Sequence, residues 1–199
     1  MATRTTTVQV VRDGWAALAG LDPDNITTED ARVFTEFINR NYRNAWMRAE
    51  WPFSVASVAK TPDSNGLIDL SADVVIADVL DVFDANPFTS TEAKHVSYQL
   101  SGSGDIYVAS KASTEVFVFY RGRETEFTAT LSTTLEFVFK DYLASACYAD
   151  FLLGEGQKEK SIAQRAEAES ILDLEVDRLE RQQQQVTPNY ISTRIVGSQ

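Results

Sequence analysis

Cysteine and histidine are almost missing from this chain, which has one of each, Cys147 and His95, in 199 residues. A lone cysteine makes no disulfide within the chain, and in the apolar stretch 134–153 it reads as a buried, inert thiol. A lone histidine leaves any histidine-clustered metal site or Ser-His-Asp relay to be built around one residue. Beside Lys94, at the head of a strand-like stretch, His95 reads as a surface residue. Long apolar runs are absent too. No stretch approaches the ~20 residues of a membrane span, and Met1-Ala-Thr-Arg-Thr-Thr-Thr-Val8 lacks the apolar centre of a signal peptide. The expectation is a chain kept in a reducing cytoplasm, with no membrane partner.

Basic residues are scarce relative to acids: 18 Lys and Arg against 29 Asp and Glu give a net charge of -11 and a pI near 4.5. Tight binding to a phosphate backbone depends on Lys and Arg displacing counterions, so that class of function is excluded. Such acidity maintains solubility, and it also suits a wall that nucleic acid slides past. Catalytic signatures are missing as well. Ser101-Gly-Ser-Gly104 has neither the glycine spacing nor the strand-to-helix setting of a dinucleotide fingerprint, and no phosphate loop ends in Gly-Lys-Ser/Thr. Asp69, Asp73, Asp78, Asp81 and Asp84 lack the spacing of a calcium loop. Their alternation with Val74, Val79 and Val82 predicts the solvated face of a strand. Arg121-Gly-Arg123 reads as a turn after a strand. No catalytic, metal-binding or cofactor-binding residue is expected, and the chain reads as non-enzymatic.

What the chain does have is pattern. Val8, Val11, Trp15 and Leu18 predict a first helix over 6–19. Thr27-Thr-Glu-Asp30 has the form of a capping box, opening a second helix over 28–50 with Phe34, Phe37, Ile38, Tyr42, Ala45 and Trp46 as its stripe. Pro52 is expected to end it. Trp46, Trp51 and Phe53 then form an aromatic anchor where helix gives way to strand. From there the period changes to two. Strands are expected around Phe53, Val55 and Val58, and over 67–70, 75–83, 96–100, 106–108 and 115–120, with Ser101-Gly-Ser-Gly-Asp105 as a hairpin turn. A third helix over 134–153 carries Leu135, Val138, Phe139, Tyr142, Ala146 and Ala149 on one face, and Phe137, Ala144, Tyr148 and Phe151 across from it. A helix apolar nearly all round needs cover nearly all round. A second subunit is the expected source, with Phe137, Tyr148 and Phe151 at the interface. Gly154-Glu-Gly156 stops this helix. A more polar fourth helix over 158–184 has the thin stripe Ala168, Leu172, Val176 and Leu179.

The order helices, strands, helices predicts an α+β fold: about four helices in a bundle, a small antiparallel β domain inserted in it, and an extended C-terminal arm. The expected divisions are 1–51 with 128–185 for the helical domain, 52–127 for the β domain and 186–199 for the arm. In that arm Tyr190, Ile191, Ile195 and Val196 are apolar teeth beyond Pro188.

Several of these segments resemble the head-to-tail adaptors of short-tailed bacteriophages, of the tail tubular protein A type. They are Asn44-Ala-Trp-Met-Arg-Ala-Glu-Trp-Pro-Phe53, Asp78-Val-Leu-Asp-Val82 leading to Asn86-Pro-Phe88, and Val116-Phe-Val-Phe-Tyr-Arg121. Thr134-Leu-Glu-Phe-Val-Phe-Lys-Asp-Tyr-Leu-Ala144 and Ala166-Glu-Ala-Glu-Ser170 complete the set. The resemblance implies a non-enzymatic virion subunit, made in the host cytoplasm. It implies a homo-oligomeric ring, typically a dodecamer, between the portal protein and a distal tail or nozzle protein. Double-stranded DNA would pass through the lumen without specific binding, and the arm bearing Tyr190, Ile191, Ile195 and Val196 would reach the portal. The alternatives are a tail- or head-completion protein of different symmetry and a soluble ligand-binding module.

Overall fold

The computed structural model describes residues 4–70, 73, 76–101, 104–128 and 130–186. The fold is α+β, with four helices among the described residues and small antiparallel sheets. The chain divides into two compact units, one holding Met1–Ala49 and Glu126–Gln199, the other Glu50–Thr125. The expected arm, with Tyr190, Ile191, Ile195 and Val196, lies outside the described residues.

The helical unit opens with strand β1 (Thr5–Thr7) and helix α1 (Val8–Ala19). Val8, Val11, Trp15 and Ala16 are buried, whereas Leu18, expected in the stripe, is exposed. Gly14 serves a close approach, because a Cβ there would sit 3.3 Å from the Ala144 Cβ. Helix α2 (Thr28–Arg48) starts as the capping box predicts: the Thr27 Oγ1 accepts the Asp30 N–H at 3.1 Å. It stops at Arg48, where Ala49 is already extended, so the chain leaves the helix before Pro52 requires it.

In the β unit, β2 (Val55–Lys60), β3 (Leu67–Ile68), β4 (Ile76–Phe83), β5 (Gln99–Leu100), β6 (Ile106–Tyr107) and β7 (Val116–Gly122) form two antiparallel three-stranded sheets. Their orders are β2-β7-β4 and β3-β6-β5. Period-two patterning places Val82, Val116 and Val118 in one core with Ile68, Val96, Ile106 and Val108. Strand β7 runs on through Arg121 and Gly122, which pair with β4, so the turn expected at Arg121-Gly-Arg123 is strand up to Gly122. Strand β4 shifts register between Ile76 and Asp78 and again between Val79 and Asp81. The extra residue places Asp78 and Asp81 opposite Arg121 and Phe119, on one face, although they are three apart.

Back in the helical unit, β8 (Thr134–Glu136) pairs with β1 and a 3-10 turn (Phe137–Phe139) leads into helix α3 (Lys140–Gly154). The helix expected from residue 134 therefore begins six residues late. Thr5 to Thr7 and Thr134 to Leu135 favour extended backbone, and Leu135 is buried from the strand. Helix α4 (Lys158–Val186) buries Ala168, Leu172 and Leu179 as the thin stripe predicts, while Val176 is only partly covered.

Helix α3 is the centre of this unit, buried at Tyr142, Leu143, Ala146, Cys147, Ala149 and Leu152. The cover comes from the same chain, because α1, α2 and α4 all pack on α3. The greasy circumference thus gives no reason to invoke a second subunit.

One position in the β unit tolerates no side chain. Gly66 has φ +85°, and a Cβ there would meet the Val108 carbonyl oxygen at 2.9 Å. Gly66→Ala is expected to destabilise the β unit by about 1–3 kcal/mol, seen as faster amide exchange in β3 and β6 with α3 unchanged.

Candidate functional site

The strongest concentration of polar chemistry lies inside the helical unit, where α2, α3 and α4 meet. Asp150 of α3 is buried, its side chain only 5% exposed. Its Oδ2 accepts the Asn41 Nδ2 at 2.7 Å and the Arg40 guanidinium at 2.5 Å, while its Oδ1 is bound by Arg165 of α4. Arg165 also donates to the Asn41 Oδ1 at 2.7 Å, and the Asn41 Nδ2 reaches the Phe37 carbonyl at 2.9 Å. Two further side chains tie α4 to α3: Gln164 donates to the Ser145 Oγ at 2.6 Å, and the Ser161 Oγ donates to the Ala149 carbonyl at 2.8 Å.

This node ties α2, α3 and α4 together. A buried carboxylate is tolerated when it is paired and its remaining lone pairs are bonded, and both conditions are met here. Cys147 lies beside it with its Sγ 4.0 Å from the Asn41 Nδ2, and burial pushes its thiol well above the ordinary range. It is held as the neutral thiol, so it lacks the thiolate a nucleophile needs. Tyr142 is also fully buried, with no hydrogen-bond partner for its hydroxyl among the described residues. Burial first, then the Glu169 charge, pushes its phenol up to about 12.

The aspartates of the β unit do not converge. Asp73 pairs with Lys60 at 2.5 Å, Asp81 with the His95 Nδ1 at 2.6 Å, and Asp84 accepts the Lys94 N–H at 2.9 Å. These local partners replace part of the solvated strand face expected for them. No group of three potential metal ligands occurs among the described residues, and none of their helices is long and apolar enough to cross a membrane.

The three residues expected at a subunit interface fall in three settings. Phe137 is exposed at 39%, between the Arg4 guanidinium and the Lys140 ammonium, which lie 4.8 and 5.8 Å from its ring centre. Tyr148 is half-buried and lines an open depression of about 280 Å³ with Leu152, Ala163, Gln164, Lys160 and Glu167. Phe151 packs edge-on against Trp15 at 5.9 Å, so Phe151→Glu would disturb the core of the unit before it tested any assembly. Of the aromatic anchor, Trp46 belongs to the helical unit, while Trp51 stacks on Phe53 at 5.8 Å in the β unit.

No family model matches this chain, and no curated protein aligns with it significantly. The node was missed in sequence because its members look ordinary there. Asp150 and Arg165 sit on different helices, and Asn41 sits in an apolar stripe where a polar residue is the one available signal.

Two substitutions probe these buried groups. Asp150→Ala takes from Asn41 one of its bonded partners and from Arg165 and Arg40 their shared counter-charge. Discounted for the partly exposed arginines, the loss is about 2–3 kcal/mol, read from the urea midpoint. Tyr142→Phe removes a buried, unbonded hydroxyl and is expected to be neutral or stabilising at pH 7. The phenol titrates higher in the folded state, so wild type loses stability as pH rises from about 10 towards 12. The Tyr142→Phe variant is expected to lack that part of the alkaline loss, measured from urea midpoints across the same pH range.

Proposed function

We propose that this chain is a non-enzymatic structural subunit of a bacteriophage virion. It forms a ring adaptor that joins the portal to the tail and lets double-stranded DNA pass through its channel. The observation that carries the reading is where the adaptor-like segments fall. Asn44 to Phe53 spans the end of α2 and the entry to β2, Val116 to Arg121 is the central strand β7, and Thr134 to Ala144 is the re-entry into α3. Three of the five segments that carry the resemblance thus coincide with two joints of the fold and a central strand.

Charge supports the same reading. The chain is acidic at -11, and more than half of that excess lies in the β unit, Glu50–Thr125. A lumen with few cations does not condense onto a phosphate backbone and lets DNA move. The paired Asp150 node supports it too, since a ring subunit under load needs helices that do not slip. Phe137 and Tyr148 are the side chains available for contacts between copies, being exposed and half-buried.

Native mass measurement and electron microscopy of the full chain, with and without the cognate portal, test the proposal. A closed ring seated on the portal is expected. A monomer indifferent to the portal would sink it. Tyr148→Ala is expected to reduce ring yield several-fold with unchanged far-ultraviolet circular dichroism; an unchanged yield removes Tyr148 from the interface.

A further inference from the structure

The two edges of the sheet β2-β7-β4 are treated differently. Strand β4 has two register shifts, carries Asp78 and Asp81, and is partly covered by its own chain. The Val96 N–H donates to the Val82 carbonyl at 2.8 Å, and the Asp84 N–H donates to the Lys94 carbonyl at 3.0 Å. Bulges, charges and a covering segment are the usual means of blunting an edge. Strand β2 shows no bulge and, among the described residues, no covering backbone. Its six residues keep unbroken register from Val55 opposite Arg121 to Lys60 opposite Val116. It has no proline, and its single charge, Lys60, is engaged by Asp73.

The phase of that edge is fixed by one bond. The Gly122 N–H donates to the Ser54 carbonyl at 2.7 Å, so Ser54 opposite Gly122 is a bonded pair. Bonded pairs alternate along an antiparallel ladder, so Val55, Ser57 and Ala59 direct their N–H and C=O groups away from β7. Among the described residues no backbone group outside β7 bonds to Val55–Lys60. An edge of this length in unbroken register, with a single, paired charge, is a template for an added strand.

We infer that the β2 edge of one copy receives residues 190–196 of a second copy as an added strand. The segment fits on three counts. Tyr190-Ile-Ser-Thr-Arg-Ile-Val196 is one residue longer than β2 and lies beyond both Pro188 and the end of α4. Its alternation sets the β-branched Ile191, Thr193 and Ile195 on one side, as a strand extending the core face of β2, where Val58 lies opposite Val118, requires. Its only charged side chain is Arg194, of sign opposite to the acidic β unit. Arm and edge are different patches, so the contact is head-to-tail and propagates from copy to copy, as a ring demands. In that respect the inference rests on the ring reading. It also changes the arm's destination, because a strand paired along β2 is not free to bind the portal.

The test uses the full chain and no portal. Ala59→Cys and Ser192→Cys variants, whose side chains would share the face of the sheet away from the core, are mixed and mildly oxidised, with buried Cys147 left in place. A disulfide-linked species of doubled mass is expected in the mixture, at least tenfold above either variant alone. In parallel, Ala59→Pro and Ala59→Lys, which alter an outward position without removing a bond to β7, should each weaken assembly about tenfold. Deletion after Gln185 should do the same, with circular dichroism checking the fold. Cross-linking at a mass other than a ring would leave this inference standing and remove the ring. Rings that form without cross-linking, or no cross-linking at all, would each overturn it.

Discussion

The carboxylate of Asp150, enclosed by Arg165, Arg40 and Asn41, is the contact on which the helical unit depends. A charge at that depth costs several kcal/mol unless it is paired and bonded, so α2, α3 and α4 are restricted to the register that satisfies it. Apolar packing alone would not impose that restriction on α3. Its surface is greasy on most sides and offers many nearly equivalent rotations, and one directional polar contact selects among them. The aromatic contacts then follow. Tyr42 meets Phe139 at 5.6 Å and Phe127 at 4.8 Å, and Trp15 meets Phe34 at 5.2 Å.

The β unit solves a different problem by different means. Its core is aliphatic and its specificity comes from register. Bulges in β4 put two aspartates on one face, and a short segment from Lys94 to Val96 covers the far end of that strand. Of the acids spaced along this stretch of sequence, Asp73, Asp81 and Asp84 each have a local partner.

Much of this was legible in the residues, and the failures are instructive. Thr27 and Asp30 announce a helix start because the cap is a contact between residues three apart. Val116 to Gly122 announces a strand because alternation is local. The segment 134–139 misled because Leu135, Val138 and Phe139 fall at helical spacing by coincidence, while the choice of strand comes from pairing with Thr5 to Thr7, far away in sequence. The covering of α3 was misread for a related reason. An apolar circumference shows that cover is needed, but not whose helices supply it.

By itself, then, the sequence determined the class of fold, the insertion of strands between helices, the acidic charge and the neutral, buried character of Cys147. Each of these follows from composition or from contacts a few residues apart. Only the tertiary structure decided that α3 is covered on most sides by its own chain, that Asp150 is paired rather than exposed, and that β2 is an edge strand of its sheet. Those outcomes depend on which distant segments meet, and the free energy of such meetings resides in burial and hydrogen bonds that no local pattern records.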